Sequence, residues 1–105
     1  MTAREIFQKA IETLNKTKDT DIKIYSVLNR EQKDDSKGVN VEIIFKDGYR
    51  RSFGFNEAWY DPNNFNLMTI DKKIGSRPSG ITDDEAVIMK IMCWVYYWAK
   101  NNGHL

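Results

Sequence analysis

Only one cysteine, one histidine and two prolines occur among the 105 residues of this chain. A lone Cys93 makes an intrachain disulfide impossible and fits a reducing, cytoplasmic setting. One Cys and one His fall short of the three or four ligands that a zinc site needs, and no C-x-x-C or H-x-x-x-H spacing is present. His104 stands next to the last residue, where fraying is expected, so neither a Cys-His nor a Ser-His-Asp system assembles unless that tail folds back. Charge of one sign is also lacking: 16 basic and 15 acidic residues leave a net +1, with no global field toward nucleic acid or an acidic membrane. The N-terminus, MTAREIFQKA, has no apolar run of the signal-peptide kind. The greasiest segment, Ala86 to Ala99, is interrupted by Lys90 and is shorter than the roughly 20 residues of a spanning helix.

What is present reads as a single α+β domain, residues 1–105. Thr2 and Glu5 form a T-x-x-E capping box, and Ile6, Phe7, Ala10, Ile11 and Leu14 follow as one helical stripe over about Ala3 to Lys16. Asp21 to Asn29 and Val39 to Phe45 read as strands joined by the polar segment Glu31 to Gly38. At Lys46-Asp47-Gly48 the apolar pattern selects the hairpin register. A three-residue loop with Gly48 left-handed sets Phe45 against Tyr49, Val41 against Phe53 and Val39 against Phe55. Arg51 then falls opposite Ile43, with its stem expected to snorkel toward the sheet edge. Residues Phe65 to Ile70 are a candidate fourth strand, and Asp71 to Gly80 a flexible connection. A second T-x-x-E, Thr82 to Glu85, opens a helix over Asp83 to Asn101, and Gly103 stops it. The expected architecture is an N-terminal helix, a three- to four-stranded antiparallel sheet and a long, aromatic-rich C-terminal helix packed on that sheet.

The order helix, three antiparallel strands, helix is similar in topology to the double-stranded RNA-binding domain. That family opens its second helix with lysines that clamp phosphates. Thr82-Asp83-Asp84-Glu85 stands at that position here and would repel phosphate, and the preceding loop is too long, so membership is not assigned.

The stretch IMCWVYYWAK, residues 91–100, dominates the last helix. On a helical wheel Ala86, Lys90, Cys93, Tyr97 and Lys100 share the wettest arc, opposite Ile88, Ile91, Val95 and Ala99. An apolar arc so wide fits a central core helix, or a core helix with one flank, Met89, Met92 and Tyr96 or else Trp94 and Trp98, meeting a second chain in a dimer seam. Cys93 near Lys90 and Lys100 reads either as a half-buried hydrophobe or as an activated thiol. Trp59 and Tyr60, just before a Pro turn, either cover the edge of the core or present an anchor. Arg50, Arg51, Lys72, Lys73 and Arg77 are the bases expected near them, and with those aromatics they make up the expected partner-binding surface. These features suggest a non-enzymatic protein without cofactor or metal that binds a larger protein, or pairs with itself, as a regulator, a phage-type inhibitor or an immunity protein does. The rival reading is a nucleic-acid-binding module that uses the same bases.

Overall fold

A computed structural model of the chain describes residues 1–29, 39–65, 68–69, 72–73 and 75–105. Helix α1 spans Ala3–Lys18, two residues past the predicted end. Its capping box forms as expected: the Thr2 hydroxyl accepts from the Glu5 N–H at 3.1 Å and Glu5 Oε1 accepts from the Thr2 N–H at 3.0 Å. Asp19 ends α1 in the left-handed region, φ 53°, and Asp21 also has positive φ. The side chain of Asn15 holds this tight exit. Its Nδ2 donates to the Ile22 carbonyl at 2.8 Å, while Oδ1 accepts from the Ile22 N–H at 2.8 Å and the Thr20 hydroxyl at 2.7 Å. Asn15→Ala removes all three bonds under a buried Thr20 and is expected to cost about 2 kcal/mol in urea unfolding.

Strands β1 (Lys23–Asn29), β2 (Val39–Ile44) and β3 (Arg50–Phe55) form an antiparallel sheet in the order β1-β2-β3. Between β2 and β3 the register is the predicted one, Val39 with Phe55, Val41 with Phe53 and Ile43 with Arg51. The hairpin closes with Phe45 N–H on the Tyr49 carbonyl at 2.8 Å and Gly48 N–H on the Phe45 carbonyl at 2.9 Å. Gly48 takes φ +88°, as the three-residue loop requires. Gly48→Ala places a Cβ in that region and should lower stability by about 1 kcal/mol, read from a urea midpoint. Between Ile24 and Ser26 the pairing of β1 with β2 shifts at a bulge, which leaves Tyr25 exposed.

The predicted fourth strand does not join this sheet. Met68–Thr69 (β4) pairs antiparallel with Lys72–Lys73 (β5) as a separate two-residue ribbon, the second strand lying inside the predicted flexible connection. The loop Glu31 to Gly38 and the remainder of the 65–70 strand beyond Phe65 and β4 lie outside the described residues.

Helix α2 spans Asp83–Asn101, as its Thr82 box and Gly103 stop dictate. Gly103 N–H donates to the Lys100 carbonyl at 3.4 Å and His104 N–H to the Ala99 carbonyl at 2.9 Å, closing the helix end through the left-handed Gly103. Both helices pack on one sheet face, where Val27, Val39, Val41, Ile43, Phe53 and Phe55 meet Phe7, Leu14, Ile91 and Val95. They run parallel to each other. The N-terminal amine lies 3.6 Å from Asp84 at one end of the pair, and Lys18 Nζ lies 5.5 Å from the Tyr96 ring toward the other.

Candidate functional site

The 57–65 loop closes the second flank of α2. Asn56 starts it by accepting the Ala58 N–H at 3.0 Å, and Glu57–Tyr60 make one 3₁₀ turn. That turn drives Trp59 inward, 7% exposed, where its indole stacks on Trp94 at 4.6 Å and meets Phe55 edge-on at 5.5 Å. Of the two sequence readings of Trp59, the cover over the core is the one realised. Tyr60 is half-buried beside it.

Lys90 departs most from its predicted place. The helical wheel puts it on the wettest arc, yet it is fully buried. Its ammonium donates to the backbone carbonyls of Ala58 at 3.3 Å, Asp61 at 2.6 Å and Asn64 at 3.1 Å. Burial pulls its pKa down to about 8, and the Asp61 carboxylate opposes that shift. The wheel treats the arc as solvent because it counts only α2's own residues. The signal that was present lay in the aromatic content of NEAWYDPNNF, too high for a loop that faces water.

Of the predicted basic residues, Arg50, Arg51 and Arg77 do not share one surface. Arg50 and Arg51 are consecutive in β3 and therefore point to opposite sheet faces. Arg50 lies on the open face, bonded to Glu42 at 2.9 Å with its guanidinium 3.8 Å from the Tyr25 ring. Arg51 lies on the helix-covered face of β3, an edge strand of the sheet. Its guanidinium sits 4.2 Å from the Trp98 ring and 4.9 Å from Phe53, and its buried Nε has no hydrogen-bond partner among the described residues. Arg77 is consumed as a clamp, donating to Asn63 Oδ1 at 3.0 Å, Asp83 Oδ1 at 2.8 Å and the Ile81 carbonyl at 2.8 Å. Lys72 and Lys73 pair through their backbones with Met68 and Thr69.

The C-terminal tail folds back rather than fraying. His104 Nδ1 lies 2.7 Å from Asp47 Oδ2, and its ring stacks on Tyr49 at 4.0 Å. The contact to His104 and the Tyr49 N–H hold the Asp47 carboxyl below its usual range. Cys93 is half-buried, and that burial pushes its thiol pKa up, the opposite of activation. Among the described residues no group of three or more His, Cys, Asp or Glu is arranged to hold a metal ion, and no helix is long and apolar enough to cross a membrane.

One predicted set is brought together. Met89 and Met92 line a groove of about 330 Å³ on the outer seam of the helix pair, with Ile81, Glu85 and Ile88 from the α2 side and Lys9 and Thr13 from α1. Tyr96 continues the same ridge one turn further on, capped by the Lys18 ammonium. The lining is apolar along α2 and carries one charge of each sign. Compared with protein-family models, with curated proteins and with solved structures, the chain finds no match.

Proposed function

We propose that this is a small, non-enzymatic binding protein that works by docking onto another polypeptide through the outer face of its helix pair. The observation that carries the reading is the half-buried row Ile81, Ile88, Met89 and Met92, which lines an open groove: Ile88 and Met92 pack inward against the core, and the outer side of the row is left uncovered. Contiguous apolar surface that the fold does not need for its own core marks an interaction site. The chemistry of the chain supports the same reading. Its one thiol is deactivated by burial, its one imidazole is engaged by Asp47, and its buried ammonium is spent on backbone carbonyls.

Capture from the source cells tests the reading. After chemical crosslinking in the extract, the wild type and Arg50→Ala should hold the same protein partner, and Met89→Glu should lose it. Retention by Met89→Glu, or loss when salt is added before the crosslinker, as phosphate contacts require, would count against it.

A further inference from the structure

We infer that the partner seated on this helix face is a second copy of the same chain, related by a two-fold axis perpendicular to both helices. This rests on the docking reading above and adds the identity of the occupant. The ridge of α1 that faces away from the core is Glu5, Lys9, Glu12 and Lys16, all exposed and without an ion pair among the described residues. Their i, i+4, i+7, i+11 spacing keeps them on one line. The order of signs along that line is self-complementary. Centred between Ala10 and Ile11, an antiparallel copy of the ridge sets Glu5 against Lys16 and Lys9 against Glu12, opposite charges at every position.

Helix α2 repeats the spacing with different chemistry. Its outer ridge is Glu85, Met89, Met92 and Tyr96, and it is centred between Lys90 and Ile91. An antiparallel copy sets Met89 against Met92, thioether on thioether, and Glu85 against the Tyr96 phenol. The two centres lie at one height. The contacting residue numbers on the parallel helices differ by 83 at one end (Asp84 and Met1) and by 78 at the other (Tyr96 and Lys18), which sets a residue near 10 on α1 level with one between about 88 and 93 on α2 and so brackets the second centre. A single axis therefore satisfies both helices at once, as an isologous interface demands.

Within one helix the alternating charges serve only as weak i, i+4 support, and they do not account for the apolar ridge beside them. Size is consistent with a modest dimer. Helices of 16 and 19 residues lying side by side present roughly 500 Å² of face per chain, about 1,000 Å² for the pair, the lower end for specific association.

Sedimentation equilibrium of the full chain, over about 1 to 500 µM, should show a monomer–dimer equilibrium with a dissociation constant on the order of 10–100 µM. Lys9→Glu and Glu12→Lys each place like charges at two symmetric contacts and should each weaken the dimer about tenfold or more. The double variant Lys9→Glu/Glu12→Lys restores opposite signs and should return the constant to within about threefold of wild type. Thermal unfolding at low concentration keeps the test fair, since every variant must remain folded as a monomer. A wild type that stays monomeric throughout, or a folded double variant that does not recover, overturns the second copy. If the chain is monomeric while Met89→Glu still loses a host partner, the docking reading survives and only its occupant is wrong.

Discussion

Phe55→Ala should lower the unfolding free energy by about 4 kcal/mol, with a fall in Tm of roughly 20 °C for a domain of this size. Phe55 is fully buried at the end of β3, where three separate parts of the chain meet its ring. Phe7 of α1 lies at 5.2 Å, Trp94 of α2 at 4.9 Å and Trp59 of the 57–65 loop at 5.5 Å. Truncation therefore removes the transfer energy of a phenyl ring and leaves a cavity lined by rigid aromatics that close poorly around it. Set against a total stability of about 5–15 kcal/mol, that loss leaves the variant folded but raises its unfolded fraction roughly a thousandfold. Urea unfolding followed by tryptophan fluorescence checks the number, with Trp59 and Trp94 reporting on the site itself. A loss below about 1 kcal/mol would mean that the cavity collapses, and that this aromatic junction is not what joins α1, α2 and the loop to the sheet.

Most of the frame was legible in the sequence because the devices that set it are local. Each capping box is four residues long, and the hairpin register follows from which choice of loop keeps apolar residues on one face. Gly48 and Gly103 mark their turns through a requirement of the backbone alone. What escaped the sequence depends on approach between segments distant in the chain. Lys90 looks solvated until a loop some 30 residues earlier folds over it. Arg50 and Arg51 look like a pair until the pleat sends them to opposite faces, one onto Tyr25 and the other onto Trp98. His104 looks free to fray until the Gly103 cap turns the tail toward Asp47 and Tyr49. The row Met89, Met92 and Tyr96 was visible because it repeats at the helical period. The row of alternating charge on α1 enters the dimer proposal only through the parallel run of the two helices, which the sequence does not show.

The same distant contact sets the second large effect. Lys90→Met keeps the length and volume of the side chain while deleting the donor, and it should cost about 3 kcal/mol at pH 7. The carbonyls of Ala58, Asp61 and Asn64 lose their shared donor, charged or neutral, at about 1–3 kcal/mol for each buried bond left unmade, and relief from burying a cation offsets only part of that total. The pH dependence carries a sign that separates this account from simple cavity damage. Burial holds the folded-state pKa of Lys90 at about 8, below the ordinary 10.5. Below pH 8 both states carry the proton, and the buried charge is a constant penalty within the wild type. Between about 8 and 10.5 the unfolded chain binds more proton than the native one, so this group makes stability rise with pH. Lys90→Met lacks that rise, and the gap between the two proteins should therefore widen as pH goes from 7 through 10. Paired urea titrations at pH 7, 8.5 and 10 measure it, because every other titrating group is common to both chains. A gap that narrows with pH would show that the three carbonyls favour the ammonium more than burial disfavours it, and that the 57–65 loop is latched by charge rather than held in spite of it.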